Sequence, residues 1–196
     1  MGIRNTVDSN FQHFNAGELA AMSSSLVRHL ESGGKLFITL AGAMSTAGIG
    51  KLFAPLIRKG YVAGISCTGA NLEEDIFRLM AYPHYVTVEN WRALSLYDEE
   101  QLLGKKMNRV TDVCIPEHEA IRALEHHLLQ AWETATERQL RQLPHLYFYD
   151  LLREESLLPS SEGDADASWV LAAARTGLPL FVPGWEDSTM GNIFAA

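Results

Sequence analysis

The sequence predicts an α/β fold built on a mostly parallel, doubly wound sheet. Two observations support this: strand-like apolar runs alternate with helix-like segments, and loops of small residues follow the strands. Residues 35–40, 61–65 and 178–182 are short apolar runs typical of buried strands, and apolar residues at helical spacing follow the first two. Strands connected in this way lie parallel, so we expect a ligand site beyond their carboxyl ends, where loops 41–46 and 66–71 would lie side by side.

The first half of the chain has the more regular pattern. Residues 1–15 are polar and mixed, and we interpret them as an N-terminal arm in front of residues 16–196, which we interpret as the N-terminal portion of one domain. Asn15 is a candidate N-cap for the first helix, and Gly33-Gly34 ends that helix. The predicted elements are a helix at 16–30, a strand at 35–40, a helix beginning near residue 46, a strand at 61–65 and a helix at 72–80.

The second half is less regular. Residues 83–88 are irregular or a short strand, and residues 91–103 are mixed. After the strand at 178–182, a polar loop leads into a last helix that is barely two turns long at Ala196, so we expect the domain to be truncated there. The remaining predicted elements are helices at about 117–137, 146–152 and 168–174.

Composition excludes several classes of protein. The 196 residues carry a net charge of -8, which argues against nucleic acid as a partner, because such binding needs a basic surface. No apolar run approaches the roughly 18 residues of a membrane helix, and the N-terminus has no signal-peptide core. Cys67 and Cys114 are most simply two reduced thiols. We therefore expect a cytoplasmic protein without a membrane partner.

The loop at 41–48 resembles a phosphate-binding loop only in its small residues. Gly50-Lys51 lacks the earlier glycine and the following Ser or Thr of a Walker loop, and the glycines are wrongly spaced for GxGxxG. Ser45 or Thr46, at the predicted start of a helix, could offer a hydroxyl and amides to a phosphate or ribose. An ordinary Ser or Thr cap explains them equally well.

The stretch at 65–76 carries two adjacent acids, Glu73 and Glu74, in the predicted first turn of a helix. Such acids beside a loop of small residues are suited to hold a cationic ligand. A structural alternative is a capping box, in which Asn71 and Glu74 satisfy free backbone N–H groups. The helix dipole also favours acids in a first turn without any ligand.

Other candidate sites are weaker. Asp187 follows a strand in a Trp-flanked loop, where it would serve as a ligand-binding carboxylate or as a helix N-cap. No histidine or cysteine pair has the spacing of a metal site, so we expect no metal. No GxSxG elbow occurs, and neither cysteine has a nucleophile signature.

Three segments are more specific together than any one of them alone: Ser66-Cys67-Thr68-Gly69-Ala70-Asn71-Leu72-Glu73-Glu74-Asp75, Met107-Asn108-Arg109-Val110 with Ile115-Pro116, and Val182-Pro183-Gly184-Trp185-Glu186-Asp187-Ser188-Thr189-Met190-Gly191-Asn192. Together they resemble the deoxyhypusine synthase family, in particular its bacterial branch of deoxyhypusine synthase-like or homospermidine synthase-like proteins. The resemblance runs from about Phe14 to the last residue.

The resemblance implies a Rossmann-like NAD-binding fold and a homotetramer with active sites shared between subunits. It implies a transferase that moves an aminobutyl group from spermidine or a related polyamine, with NAD as a transient hydride acceptor. In the family an enzyme lysine captures the group. The final acceptor is a lysine of the hypusine-containing translation initiation factor or a small polyamine such as putrescine.

The resemblance also implies site residues, carried over one by one. The polyamine would be bound by Glu73 and Glu74 and by the position of Asn192, with Glu74 also near NAD. The segments matching NAD contacts are Gly42, Ala43, Met44, Ser45 and Thr46 in the first loop, Thr68, Gly69 and Ala70 in the second, and Asp187 in the third.

This sequence departs from the family in two respects. The family has a polyamine-binding aspartate where this chain has Asn192, and its nucleophilic lysine is expected beyond Ala196. None of the five lysines present stands in a matching context. The runner-up hypothesis is therefore a non-catalytic NAD- or polyamine-binding or assembly module of the same fold. A different NAD-dependent enzyme is disfavoured because the usual glycine fingerprint is absent.

Overall fold

The computed structural model describes residues 2–196, apart from the side chain of Pro159, and divides into two compact units at Leu36 and Phe37. The first unit contains helix α1 (Ile3–Asn10) and helix α2 (Phe14–Glu31). Helix α1 lies inside the segment predicted as an arm. The predicted N-cap at Asn15 is wrong, because the helix already begins at Phe14 after an extended His13.

The second unit contains a three-stranded sheet in the order β1-β2-β6, with β1 crossing the boundary between the units. Strand β2 pairs with β6 in parallel, with Ile65 opposite Leu180, which confirms the parallel pairing expected from the strand–helix alternation. The strands of this sheet are β1 (Leu36–Leu40), β2 (Val62–Cys67) and β6 (Leu180–Phe181).

The predicted helices occur in the expected order but differ at their ends, and α5 lies in the segment 91–103 that was interpreted as mixed. The helix expected near residue 46 begins at Gly50, because residues 43–49 form turns, and the helix expected at residue 72 begins at Gly69. Residues 117–122 form a π-helical turn that leads into α6. The helices of this unit are α3 (Gly50–Arg58), α4 (Gly69–Ala81), α5 (Leu96–Gly104), α6 (Ala123–Glu137), α7 (Pro144–Arg153), α8 (Trp169–Thr176) and α9 (Thr189–Ala195).

A second, antiparallel sheet in the order β3-β5-β4 was not predicted, although its strand β3 lies in the segment 83–88 expected to be irregular or a short strand. Its strands are β3 (Val86–Thr87), β4 (Met107–Val110) and β5 (Val113–Pro116). Strands β4 and β5 form a hairpin closed by Thr111 and Asp112, with Thr111 at a positive φ of 54°. The Asn-Gly or Asp-Gly dipeptides that normally mark such a turn are absent, so local sequence gave no signal for it.

Helix α8 lies at the centre of the second unit. Its residues from Trp169 to Ala174 are all buried, which is expected of a helix that is apolar on every side. It packs against α3 and α7, and Ser168 caps its first turn by accepting a hydrogen bond from the backbone of Leu171. In the described part of the chain, no helix is long and apolar enough to cross a membrane.

Candidate functional site

The two small-residue loops lie against one another, as expected for loops that follow adjacent strands. Asn71 joins them, since its side-chain oxygen accepts from Ser45 N at 3.0 Å and its amide donates to the Gly42 carbonyl. The Ser45 hydroxyl in turn donates to the Asn71 carbonyl at 2.6 Å. Asn71 and Ser45 are both buried, so these bonds fix the first loop to the start of α4.

The capping-box interpretation of Asn71 and Glu74 is wrong. Thr68 is the N-cap of α4, and its hydroxyl oxygen accepts from Asn71 N at 3.3 Å. With Thr68 in that role, Glu73 and Glu74 lie in the second turn rather than the first. The dipole of α4 therefore does not explain the two acids.

Glu73 is 3% exposed and contacts the start of a different helix. Its two carboxylate oxygens accept from the backbone N–H groups of Thr189 and Met190, the first residues of α9, at 2.9 and 2.8 Å. Burial raises the pKa of Glu73 to about 6, although these two N–H groups lower it. Glu73 therefore supplies acceptors that a helix N-terminus otherwise lacks.

Glu74 points to the first loop. One of its carboxylate oxygens accepts from Thr46 N at 3.2 Å, and the residue is 8% exposed. Burial raises its pKa, and the backbone N–H of Thr46 lowers it. The second carboxylate oxygen has no hydrogen bond with a described residue, so Glu74 keeps an acceptor for a further partner.

Asp75 is the third acid of α4 in this stretch, and the sequence did not single it out. Its carboxylate accepts from Ser168 Oγ at 2.6 Å and from Val170 N at 3.0 Å, at the start of α8. Burial raises its pKa to about 6, and nearby Arg78 lowers it. Three consecutive acids thus bind three different segments, the starts of α8 and α9 and the first loop. No local pattern predicts this, because every partner is remote in sequence.

The buried Ser45 side chain holds the first loop in place by hydrogen bonds to α4 and α8. The Ser45 hydroxyl accepts from the Trp169 indole N–H at 3.0 Å, so it is already used inside the protein. The cap interpretation of Ser45 and Thr46 is wrong, because α3 begins at Gly50 with Ile49 in the N-cap position. Gly42, at φ +64°, and Met44 are exposed, and Ala43 is half-buried, so this part of the loop can meet a ligand.

The second loop contacts the residues before α9. A Cβ atom added to Gly69 would lie 2.8 Å from the Ser188 side chain and 3.0 Å from the Trp185 carbonyl oxygen. Glycine at position 69 is therefore required for packing against residues 185–188. Thr68 and Ala70 are half-buried.

Asp187 and Asn192 lie at the start of α9 and are exposed. The N-cap interpretation of Asp187 is wrong, because Ser188 is the N-cap and accepts from Gly191 N at 2.9 Å. The Asp187 carboxylate makes no hydrogen bond with a described residue, whereas the Asn192 amide donates to the Ser188 carbonyl at 2.7 Å. Asp187 is thus a free acid beside the second loop.

Neither cysteine is suited to act as a nucleophile. Cys67 and Cys114 are free and buried, and burial raises the pKa of Cys67 to about 12. The thiolate is therefore a minor species at neutral pH. Among residues 2–196, no group of three or more His, Cys, Asp or Glu side chains is arranged to hold a metal ion.

The raised pKa of Glu73 predicts a pH effect on stability. A folded-state pKa of about 6, against 4.5 for the free group, means that the folded protein binds the proton more tightly. The contribution of Glu73 to stability is then greatest below about pH 4.5 and is lost as pH rises through about 6. Replacing Glu73 with Gln removes this titration, so the unfolding free energy of the variant relative to wild type is expected to rise by about 2 kcal/mol between about pH 4 and about pH 7.

Urea unfolding at several pH values measures this difference. Glu133→Gln on α6 is the matched control, because Glu133 is exposed, and its difference from wild type is expected to stay constant. A Glu73→Gln difference that is equally flat would contradict the burial of a titrating carboxyl at position 73.

Comparison with known proteins identifies the family. The family model described as deoxyhypusine synthase matches residues 8–196, almost the whole chain. The chain belongs to the deoxyhypusine synthase family. This confirms the resemblance carried by the three segments of the sequence.

Individual relatives agree with the family assignment. The chain is 28% identical over 179 residues to probable deoxyhypusine synthase 1 of Methanosarcina mazei, which covers 91% of this chain and 51% of the relative. It is 28% identical to probable deoxyhypusine synthase 1 of Archaeoglobus fulgidus, and that alignment covers 91% of this chain and 53% of the relative. It is 22% identical to the deoxyhypusine synthase-like protein of Caulobacter vibrioides, and that alignment covers 82% of this chain and 41% of the relative. The chain therefore spans about half the length of these curated relatives.

A solved structure supports the fold. The crystal structure of a putative deoxyhypusine synthase from Entamoeba histolytica superposes with a TM-score of 0.50 at 16% identity, covering 82% of this chain and 44% of that one. At this identity the likeness concerns the fold alone.

Proposed function

We propose that this chain forms part of an NAD-dependent transferase that moves an aminobutyl group from spermidine or a related polyamine. The observation that carries the proposal is the family match over residues 8–196. The proposal is supported by the contacts that join the two loops and the acids of α4 at the ends of β1 and β2. The acceptor is either a protein lysine or a small polyamine.

The residues present fit NAD at one informative point. Thr46 is 7% exposed, and its hydroxyl has no hydrogen-bond partner among the described residues. Such an atom is rare in a folded protein unless a ligand or water contacts it. When bound, NAD supplies a reversible hydride acceptor. The residues that would hold it are Gly42, Ala43, Met44, Ser45, Thr46, Thr68, Gly69, Ala70, Glu74 and Asp187, on a sheet that we propose to be Rossmann-like and doubly wound.

Polyamine binding would use the acids at the start of α9 and on α4. Spermidine is a polycation at neutral pH, so carboxylates are its natural partners. Each oxygen of Glu73 already accepts one backbone N–H but retains a second lone pair, and Glu74 has one oxygen without a hydrogen bond to a described residue. Asn192 would contribute an amide oxygen in place of a charge.

The lysine that captures the aminobutyl group is not assigned to any of the five lysines of residues 1–196. The side chains of Lys35, Lys51, Lys59, Lys105 and Lys106 are all exposed. A nucleophilic lysine normally needs a desolvated site that lowers its pKa. We propose that the nucleophile lies outside this chain segment, within a homotetramer whose sites are shared between subunits.

The same exposure of the lysines favours one alternative function. A module that keeps the fold and binds NAD or polyamine without catalysis needs no desolvated lysine. Single-turnover transfer from labelled spermidine distinguishes the two, because the module would bind the ligands and transfer no label.

Asp187 gives a direct test of the cofactor site. Replacing Asp187 with Asn is expected to weaken NAD binding by about tenfold, the effect of losing one charge-assisted hydrogen bond. The melting temperature of the Asp187→Asn variant should equal that of wild type, because the Asp187 carboxylate is exposed and contacts no described donor. Isothermal titration calorimetry with NAD measures the effect.

Glu186→Gln is the matched control, since this neighbouring acid is also exposed, and its affinity for NAD should equal that of wild type. If both substitutions weakened NAD binding equally, the cause would be the loss of a negative charge in this region and not a direct contact of Asp187 with NAD. A wild-type protein that binds neither NAD nor spermidine would overturn the proposed function.

A further inference from the structure

A cavity of about 350 Å³ opens between α6, α7 and α9, and we call it the aromatic cavity. This volume is within the range of about 300 to 1,000 Å³ that small-molecule sites occupy. None of the residues assigned above to NAD or polyamine lines it. Its wall includes Trp132, Leu140, Arg141, Tyr147, Trp185 and Phe194.

Four aromatic side chains from different parts of the chain form most of this wall. The Trp132 ring centre lies 4.9 Å from that of Phe194, at 67°, and 6.5 Å from that of Tyr147, at 83°. Trp185 contacts the buried Phe148, with ring centres 5.6 Å apart. Edge-to-face contacts of this kind stabilise rings in fixed orientations. The cavity therefore presents a preformed aromatic surface on which a flat ring packs well.

Hydrogen-bond donors on the wall lack partners. The indole N–H groups of Trp132 and Trp185 and the hydroxyl of Tyr147 form no hydrogen bond with a described residue. Trp132 is only 8% exposed, although its N–H is not fully enclosed. Buried tryptophan N–H groups usually have a partner, and they donate only. Because Trp132 lines the cavity, a ligand there with an acceptor group would satisfy this N–H.

The charge on the wall gives the sign of that ligand. Arg141 lines the cavity, is exposed and forms no ion pair with a described residue. Among the described residues, no Asp or Glu lines the cavity. A guanidinium binds a carboxylate through two parallel N–H bonds, whereas an amine would meet a positive charge and unpaired donors. Charge complementarity therefore favours an anion over a cation.

We propose that the aromatic cavity binds a small aromatic carboxylate. The ring of the ligand packs against Trp132, Tyr147 and Trp185, and its carboxylate accepts hydrogen bonds from Arg141 and from the unpaired donors of the wall. This site is separate from the residues assigned to NAD and polyamine, so it does not rest on the proposed function.

Calorimetry on the full chain with three probes tests the chemistry. Phenylacetate has both a ring and a carboxylate, acetate lacks the ring, and 2-phenylethylamine replaces the carboxylate with a cation. Phenylacetate is expected to bind with a dissociation constant of about 1 mM or lower, as a ligand of this size allows. Acetate and 2-phenylethylamine should each bind at least about tenfold more weakly.

Replacing Arg141 with Gln locates the site. This change is expected to weaken phenylacetate binding by about tenfold, through loss of a charge-assisted pair. Its melting temperature should equal that of wild type, because Arg141 is exposed. Arg138→Gln is the matched control, since Arg138 is exposed at the end of α6 and does not line the cavity, and its affinity should equal that of wild type.

Four results would overturn the aromatic cavity as a carboxylate site. They are no binding of phenylacetate at 10 mM, roughly ten times the expected dissociation constant, 2-phenylethylamine binding as tightly as phenylacetate, an Arg141→Gln affinity equal to that of wild type, and equal weakening by Arg138→Gln. NAD binding is measured in a separate titration. A protein that binds NAD but not phenylacetate loses this site and keeps the proposed function, and the reverse result does the opposite.

Discussion

Replacing Asp75 with alanine is expected to lower the free energy of unfolding by about 3 kcal/mol. Asp75 is 3% exposed, and its carboxylate accepts hydrogen bonds from Ser168 Oγ, Trp169 N and Val170 N at the start of α8. Alanine leaves these donors unpaired inside the protein and removes the negative charge beside Arg78. Residues Trp169 to Ala174 of α8 are all buried, so the effect of losing these hydrogen bonds at its first turn is expected to be large.

Denaturant unfolding of Asp75→Ala measures this loss. Asp166→Ala is the matched control, because its side chain is 92% exposed and its ion pair with Arg58 spans 3.9 Å. That variant is expected to change stability by less than about 0.5 kcal/mol, as exposed ion pairs usually contribute little. If both variants lost the same stability, the network at the start of α8 would not be the cause.

Replacing Gly50 with alanine is expected to cost about 3 kcal/mol by overpacking. A Cβ atom at this position would overlap the carbonyl oxygen of Ala167 and lie 2.9 Å from Asp75 Oδ1. The obstructing atom is backbone, which cannot turn aside as a long side chain does. Helix α3 would have to move away from α8, against which it packs.

Gly104→Ala is the control for this substitution. Gly104 lies at the end of α5 and has no heavy atom within 4 Å of an added Cβ. The control should keep wild-type stability or gain a few tenths of a kcal/mol, about the entropy effect of replacing glycine. Thermal unfolding of both variants checks the difference, and a Gly50→Ala protein as stable as Gly104→Ala would contradict close contact between α3 and residue 167.

Sequence patterns predicted the elements on which the candidate site is built. The parallel pairing of β2 and β6 follows from strands separated by helices, and the contact between the first and second loops follows from adjacent strand ends. The three matched segments predicted the family. These inferences succeed because alternation and small-residue loops are local properties of the chain.

The antiparallel hairpin and the helix starts were harder to predict. Strands β4 and β5 have four residues each, and their turn lacks glycine. A strand that short has too few alternating positions to be distinguished from a loop. The hairpin nevertheless supplies Val110, Thr111, Asp112 and Val113 to the wall of a cavity of about 530 Å³ beside the first loop, so local sequence could not have revealed that cavity.

The acids at 73–75 show most clearly what the sequence determined and what the tertiary structure decided. The sequence alone predicted adjacent acids on a helix behind a loop of small residues, and it singled out Glu73 and Glu74 but not Asp75. The fold chose their partners, which lie 116, 28 and 93 residues away at Thr189, Thr46 and Ser168. Local capping rules consider donors three residues away, but α4 is almost wholly buried and its acids meet the starts of other segments. The partners of these acids could not be predicted from local sequence, because long-range packing decides which donors surround a buried carboxylate.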